Sequence, residues 1–438
     1  MAAVRALCAG FFGAPPESYE VIFTSNTTEA INIAARVMPG TQAGPVRGEE
    51  TVVLNTLAEH NSNELPWRFA EGVTLLRASV DEEGFPDAGE LERLLKEYNE
   101  EGLHGRKRIR VVTVSGASNV LGSCPDLAGI ARLAHSYGAL MFVDAAQLAA
   151  HRPIRMAAEG IDGLAFSGHK MYAPFGSGGL ILRKGLRPSG DPALALARAS
   201  GDENVAGIAA LGKVLDLLER IGMDIVHEQE LRLTRAALRE LATVPGLRVY
   251  GITDPYSPRI GRRLGVVSFD LKNIPYNLAA EALVETDGLG VRTGCFCAHI
   301  LVKRLLGIHP VREALSNLGL RRAPGLTKSV LPGMVRVSFG LGNDEADVGL
   351  LAQALKRVAH RRPSLVPRLL AKTRNAMPIA EETETGKRLR AAAEREVLFV
   401  YGLAPADKKE DRPRPRTFCC RVPPEGLMIF GRPCCRKS

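Results

Sequence analysis

The chain has 438 residues, of which 45% are hydrophobic and 24% charged, an ordinary globular composition with enough apolar material for two domains. No apolar run approaches the roughly 18 residues of a membrane-spanning helix, and the amino terminus is too short to be a secretory signal, so we expect a cytoplasmic protein with no membrane partner. The net charge of +9 lies in residues 361–438, which hold 18 Lys and Arg against 9 Asp and Glu. The other residues are balanced at 39 of each, which does not support a nucleic-acid-binding body, although the basic tail could contact an acidic partner.

Cysteine usage predicts neither a disulfide scaffold nor a metal site. A cytosolic chain of this size rarely relies on disulfides. The eight cysteines are Cys8, Cys124, Cys295, Cys297, Cys419, Cys420, Cys434 and Cys435. Because the two vicinal pairs in the tail match no common zinc spacing, we interpret them as incidental thiols and predict no metal.

The first strand–helix pair of the chain predicts an anion site. A strand over residues 21–24 is followed by a helix that runs to Met38, and Thr27 and Thr28 lie where capping hydroxyls belong. Free amides and the helix dipole at this end would suit a phosphate group. A plain helix cap is the alternative interpretation.

The next strands each end on polar residues. The strand at residues 51–54 precedes His60, which could stack on a flat cofactor ring or simply be a solvated loop histidine. A β-branched strand at 109–114 precedes Asn119, and Asp126 caps the helix after it.

Two buried strands then deliver an acid and an amine. Residues 140–143 form an apolar run that ends at Asp144, and residues 164–166 form another that is followed by Lys170. Pyridoxal phosphate (PLP) needs this pair, since a lysine holds its aldehyde as a Schiff base and a carboxylate keeps its pyridine nitrogen protonated. A surface lysine and a helix-capping aspartate are the alternative for either residue alone.

The alternation of strands and helices predicts an α/β fold with a large, doubly wound, mostly parallel sheet. We expect this PLP-binding domain to span residues 1–225. Strands interleaved with helices over 226–360 predict a smaller α+β domain, and the Pro- and Arg-rich residues 361–438 a basic, largely disordered tail.

Six motifs in this sequence resemble those of PLP-dependent class V aminotransferases, in the same order and with similar spacing over about residues 1–360. They are Thr27-Thr28-Glu29-Ala30, Glu59-His60-Asn61-Ser62-Asn63, Ser118-Asn119-Val120-Leu121-Gly122, Asp144-Ala145-Ala146-Gln147, Ser167-Gly168-His169-Lys170 and Arg292-Thr293-Gly294-Cys295-Phe296-Cys297-Ala298. The likeness is greatest to cysteine desulfurases and selenocysteine lyases, and the Gly-Cys-Phe-Cys segment is also similar to molybdenum cofactor sulfurases.

The resemblance implies a role for each matching residue. Lys170 would carry PLP and move the substrate α-proton, while Asp144 would bind the pyridine nitrogen and His60 would stack on the ring. The other implied cofactor ligands are Gln147 and Asn119 at the phenolic oxygen and Thr27, Thr28, Ser167 and His169 at the phosphate. Asn119, Arg292 and Arg336 would bind the substrate, and the Cys297 thiolate would take its sulfur. For Cys297 a buried apolar thiol remains the alternative.

The implied reaction removes sulfur from L-cysteine to give alanine and a persulfide on Cys297, in a homodimer that serves a sulfur-acceptor protein. Other class V reactions (transamination, lyase or epimerase chemistry) and an inactive relic are the alternatives. Family members usually carry several dozen more residues before Val21, so we expect the amino-terminal part of the large domain to be missing. Two further departures are expected to affect the site: Asp202 stands where the family often has a phosphate-binding threonine, and residues 299–335 are an insertion.

Overall fold

A computed structural model describes residues 1–40, 48–186, 192–198, 204–308 and 333–360, and all structural statements concern these ranges. The departure at Asp202, most of the predicted insertion and the tail lie outside them. Within the described ranges the strands form two sheets, one of seven strands and one of four.

The larger sheet has the strand order β1-β7-β6-β5-β4-β2-β3. Its strands are β1 Tyr19–Thr24, β2 Glu50–Thr56, β3 Val73–Ala78, β4 Lys107–Ser115, β5 Leu140–Asp144, β6 Gly163–Ser167 and β7 Gly178–Arg183. The strands β2 to β6 run parallel to one another, and β7 runs antiparallel to both β6 and β1. This arrangement confirms the predicted α/β class and the mostly parallel sheet.

Helices cover both faces of the larger sheet. They are α1 Ala2–Phe11, α2 Thr27–Val37, α3 Leu65–Arg68, α4 Ala88–Leu95, α5 Leu127–Ser136, α6 Met156–Glu159, α7 Pro192–Arg198 and α8 Val205–Ile221. Phe12, after α1, and Leu211 of α8 pack on one face with the apolar sides of α4 and α5. Ile31 of α2 and Trp67 of α3 pack on the other. Apolar side chains therefore project from both faces of the sheet, as a doubly wound sheet requires.

One close backbone approach fixes the start of α2. Gly178, the first residue of β7, lies so near that an added Cβ would be 2.6 Å from the Phe166 carbonyl oxygen and 2.9 Å from the Asn26 Cα. Asn26 caps α2 by accepting a hydrogen bond from the Glu29 amide. Because no side chain intervenes, the amino end of α2 lies directly beside the end of β6.

The smaller sheet is antiparallel, with the order β10-β11-β9-β8. Its strands are β8 Leu247–Val249, β9 Val266–Leu271, β10 Arg292–Gly294 and β11 Met334–Ser338, and its helices are α9 Met223–Ala242, α10 Tyr276–Asp287, α11 His299–Leu305 and α12 Glu345–His360. The helices α9, α10 and α12 share an apolar core with this sheet. The division at residue 225 and the extent of a separate domain stay predictions.

A buried ion cluster joins α9 to the segment that follows Asp144. Glu230 of α9 accepts hydrogen bonds from His151, at 2.8 Å, from Arg152 and from the Gly265 amide, at 2.8 Å. Arg152 also donates to the carbonyl of Arg263, at 2.9 Å. These contacts hold the smaller sheet against the larger one near the predicted site.

Candidate active site

The polar residues that follow β2, β4, β5 and β6 meet at one edge, because the carboxyl ends of parallel strands lie side by side. Asp144 is the last residue of β5 and pairs in register with Ser115, the last residue of β4. Lys170 ends a helical turn, Gly168–Lys170, directly after β6. Polar side chains therefore lie side by side at the carboxyl ends of strands that are otherwise apolar.

At this edge the charges of Asp144 and Lys170 act on each other. Asp144 is 4% exposed, and its Oδ1 accepts a hydrogen bond of 3.0 Å from the Ala146 amide. Burial raises the pKa of Asp144, whereas the positive charge of Lys170 and this hydrogen bond oppose the rise. Burial lowers the pKa of Lys170, and the charge of Asp144 opposes that fall. Each of the two charges thus opposes the effect of burial on the pKa of the other group.

The amino end of α2 is tied to two other segments of the site. The Thr27 amide donates to the Ser167 Oγ at 2.7 Å, and the two hydroxyl oxygens are 2.6 Å apart. The Thr28 Oγ1 lies 2.8 Å from the Ser62 Oγ. Thr27 and Ser167 are buried and Thr28 is exposed, so the predicted phosphate residues form a hydroxyl-lined rim around a helix amino terminus.

The imidazole of His60 is held in one neutral form. Its Nδ1 accepts a hydrogen bond of 3.1 Å from the Ser62 amide, which places the proton of the neutral ring on Nε2. Burial, followed by the positive charges of Lys170, Arg292 and Arg336, lowers the pKa of His60 to about 4. His60 is therefore uncharged at neutral pH. A neutral imidazole can stack on a flat ring, as predicted for this residue.

The loop after β10 presents Cys297 at the same edge. Cys297 is exposed, and its charge acts on Lys170. The Asn61 amide donates to the Cys297 carbonyl at 2.7 Å, and the Asn119 Nδ2 donates to the Phe296 carbonyl at 2.7 Å. Phe296 and Cys297 have φ angles of 52° and 55°, a left-handed backbone that these hydrogen bonds stabilise.

Two arginines add positive charge. The Arg336 Nη1 donates to the Asn119 carbonyl at 2.7 Å, and its guanidinium lies 5.2 Å from the centre of the Phe296 ring. Burial and the charge of Arg292 lower the pKa of Arg336 to about 10, which leaves it charged at neutral pH. Arg292 is exposed, and both arginines line a cleft of about 280 Å³. A carboxylate is the natural ligand of such a pair.

Two predicted residues are less closely engaged. Gln147 is half-buried, lies three residues after Asp144 at the end of β5, and precedes a helical turn, Leu148–Ala150. His169 is half-buried, and burial followed by the charge of Lys170 lowers its pKa. The Oδ1 of Asn119 is buried and has no hydrogen-bond partner in the described structure, which leaves an acceptor for a ligand.

The structure adds residues to which sequence reasoning gave no role. Ser62 contacts both His60 and Thr28, and the Asn61 amide holds the Cys297 loop. Glu59 is buried and directly precedes His60 in the chain. The position of Glu59 just after β2 is the same signal that identified Asp144 after β5, and it was available in the sequence.

The described residues offer neither a metal site nor a membrane-spanning helix. They contain no cluster of three or more His, Cys, Asp or Glu side chains that could hold a metal ion. None of their helices combines the length and the apolar character required to cross a membrane.

Comparison with known proteins gives consistent matches. Residues 1–351 match the family "Aminotransferase class-V". A "Probable cysteine desulfurase" of Halalkalibacterium halodurans is 31% identical over 361 residues, 77% of each chain, and one of Methanothermobacter thermautotrophicus is 32% identical over 380 residues, 81% of this chain and 82% of the relative. Among solved structures, a cysteine desulfurase of Escherichia coli is 25% identical with a TM-score of 0.64, covering 82% of this chain and 84% of that one. An apo cysteine desulfurase of Thermococcus onnurineus, 24% identical with a TM-score of 0.65 over 82% and 83% of the two chains, has the same fold.

Proposed function

Because the chain belongs to the class V aminotransferase family, whose members are PLP-dependent enzymes, we propose that it is a cysteine desulfurase acting on L-cysteine. The observation that carries this proposal is the environment of Lys170. The charges that act on its amine, after burial itself, are those of Asp144, Arg336, Arg292 and Cys297. Hydrogen bonds of 2.7 Å join Arg336 to Asn119 and Asn119 to the loop that carries Cys297, so the arginine and the thiol loop that act on this amine are connected.

The residues present fit PLP. The buried carboxylate of Asp144 would hold the pyridine nitrogen, and the amino end of α2 with the Thr27 and Ser167 hydroxyls would hold the phosphate. Thr28 and His169 extend the phosphate rim, and Gln147 and Asn119 would serve the phenolic oxygen. The unpartnered Oδ1 of Asn119 supports this fit, since a buried acceptor usually has a partner. When bound, PLP acts as an electron sink for the substrate.

The chain's own residues would carry out the remaining tasks. Arg336, with its guanidinium fixed by Asn119 and Phe296, would bind the carboxylate of L-cysteine, and Arg292 would add a second contact. Lys170 would take the α-proton of the substrate, for which a desolvated amine with a lowered pKa is suited. The neutral ring of His60 would exclude water from one side of the site.

Cys297 would receive the sulfur. Its thiolate would attack the substrate Sγ, the carbon–sulfur bond would break, and the electron pair would leave with the carbon. With the protons retained, one L-cysteine and one thiol give one alanine and one persulfide, so the step balances without an added oxidant. Release of sulfide then needs a thiol reductant or a sulfur-acceptor protein.

A homodimer is part of this proposal. Phe69 and Phe175 are 76% and 70% exposed, and they lie on segments that adjoin the site, after α3 and after Lys170. We propose that a second copy of the chain covers these two side chains. Light scattering of the purified chain should give twice the chain mass, and a monomer would contradict this part of the proposal.

One set of spectra and product assays tests the activity. We expect the purified protein with PLP to show a visible absorbance band that is lost in Lys170→Ala, and to form alanine and sulfide from L-cysteine with dithiothreitol. Cys297→Ala should keep the band and lose sulfide formation. A band without either product from the parent protein would rule out a desulfurase. Full turnover by Cys297→Ala would instead indicate another class V reaction.

A further inference from the structure

Glu59 is a buried carboxylate to which the mechanism gives no task. It is 6% exposed and accepts hydrogen bonds from three side chains. The Thr56 Oγ1 donates to Oε1 at 2.6 Å, and the Asn63 Nδ2 and Ser115 Oγ both donate to Oε2 at 2.7 Å. These donors belong to the end of β2, the turn that carries His60 and the end of β4. One side chain therefore ties three segments together.

Asn63 extends this connection into the core. Its Oδ1 accepts hydrogen bonds from the Trp67 Nε1, at 2.9 Å, and from the Thr113 Oγ1, at 2.8 Å. The backbone amide of Asn63 donates to the His60 carbonyl at 2.8 Å. The backbone of His60 is thus fixed by a residue whose side chain is bonded to Glu59 on one side and to Trp67 and Thr113 on the other.

Glu59 also lies beside the acid of the cofactor site. Ser115, its hydrogen-bond donor, pairs in register with Asp144. Burial raises the pKa of Glu59 to about 7, the hydrogen bonds from Thr56, Ser115 and Asn63 oppose the rise, and the charge of Asp144 adds to it. Asp144 is thus the charged group that acts on Glu59, while the other segments packed on it offer hydroxyl and amide donors.

We propose that Glu59 is a positioning residue of the cofactor site, which sets the place of the His60 ring relative to Asp144 by tying the turn after β2 to the end of β4. This inference rests on the proposed function, because His60 matters to PLP only if PLP binds. It assigns a task to a residue to which the proposed mechanism gives no contact with cofactor or substrate.

The apo protein offers the first test. Trp67 is the chain's single tryptophan and is fully buried, so its fluorescence reports directly on the Asn63 contact. We expect the emission of the parent protein to change with a midpoint near pH 7, and that of Glu59→Gln to be constant from pH 5 to 9. A transition that survives unchanged in Glu59→Gln would overturn the connection from Glu59 to Trp67.

The affinity for PLP is the second test, measured by quenching of Trp67 fluorescence. Glu59→Ala should weaken PLP binding about tenfold, since three donors lose their acceptor, and Glu59→Gln, which keeps the shape, should restore most of it. Asn99→Ala is the matched control. The Asn99 side chain bonds the Ile109 amide and carbonyl at the opposite end of β4, with distances of 2.7 and 2.8 Å. Its loss should lower stability without weakening PLP binding.

The outcomes separate the two proposals. If the parent protein binds no PLP, the proposed function fails, and the pH dependence of Trp67 in the apo protein still tests the connection. If PLP binds and both Glu59 variants bind it within twofold of the parent, the inference is wrong and the proposed function stands. Equal weakening in Asn99→Ala would show that Glu59 acts only through general stability. If Glu59→Ala does not fold, Glu59→Gln supplies the pH measurement.

Discussion

Arg292 and Arg336 are directly opposite each other in the antiparallel pair of β10 and β11. Residues opposite one another in such a pair share a face of the sheet, and like charges there cost roughly 0.2–1 kcal/mol. The pairing joins positions that are 44 residues apart in the sequence. A pair of facing cations retained at this cost is suited to an anion between them, and the substrate carboxylate is the anion that the proposed function supplies.

Replacing Arg336 by lysine should impair substrate binding although the charge remains. Lysine cannot form a two-point contact with a carboxylate, and it loses the hydrogen bond to the Asn119 carbonyl. We expect kcat/KM for L-cysteine to fall roughly ten- to a hundredfold, with most of the effect in KM. PLP binding, measured by absorbance, should change little. A variant with unaltered KM would remove Arg336 from the substrate site.

Replacing Arg292 by glutamine should have opposite effects on stability and function. Arg292 is exposed, and its removal relieves the repulsion across the strand pair, so the free energy of unfolding should rise by about 0.2–1 kcal/mol. The KM for L-cysteine should rise as well. Urea unfolding and steady-state kinetics measure the two effects, and a less stable variant would contradict the argument from like charges.

Replacing Asp144 by asparagine should change the titration of Lys170. Burial lowers the pKa of Lys170, and the charge of Asp144 is the largest effect that opposes the fall. Without that charge the pKa falls further, so the amine is neutral at a lower pH. We expect borohydride trapping of PLP on Lys170 to reach half of its maximum at a lower pH in Asp144→Asn than in the parent. Asp126→Asn, which changes a helix cap at α5, is the control and should leave the midpoint unaltered.

The fold was more predictable than the site, because its signals are local. The strand predicted over residues 21–24 lies within β1, and the helix predicted to run to Met38 ends at Val37, since a capping residue and an apolar periodicity mark it locally. The end of α4 is a counterexample, because the helix stops at Leu95 and the chain continues as a wider turn to Glu100. The reason is not local: the Asn99 side chain bonds the backbone at Ile109 and Tyr137.

The contacts that assemble the site are distant in the sequence. The strand β10 has only three residues and exists through its pairing with β11, beyond the reach of any periodicity. The acceptor of Ser115 is Glu59, 56 residues earlier. Motifs therefore predicted which residues follow each strand. The partners that hold those residues in place are distant in the sequence, and only the three-dimensional structure identifies them.

Selective alkylation should separate Cys297 from its neighbour. Cys297 is exposed, whereas Cys295 is half-buried, and burial raises the pKa of its thiol. Since the thiolate is the reactive form, iodoacetamide at pH 7.5 should modify Cys297 first. Fragment spectra of the tryptic peptide 293–303, which contains both cysteines, measure the ratio. Modification of Cys295 first would contradict the exposure of the two thiols in the structure. As a control, Cys295→Ser should keep desulfurase activity.

Acid should destabilise the protein through Glu230. Burial alone would raise the pKa of Glu230, but His151, Arg152 and the Gly265 amide outweigh it and lower the pKa from 4.5 to about 2. A carboxylate with a lowered native pKa contributes stability above its unfolded value of 4.5, and this contribution is lost as the pH falls toward 2. The contribution is on the order of 3 kcal/mol.

Glu230→Gln should therefore lower the free energy of unfolding at pH 7 and flatten its decline between pH 5 and 2, as measured by urea unfolding at each pH. Glu240→Gln is the matched control, because Glu240 is an exposed residue of the same helix and surface charges contribute little. Arg152 lies on the segment that follows Asp144, and Glu230 lies on α9. The loss of Glu230 therefore also loosens the contact between the two sheets. Parallel acid profiles for Glu230→Gln and the parent would show that another carboxylate governs the acid transition.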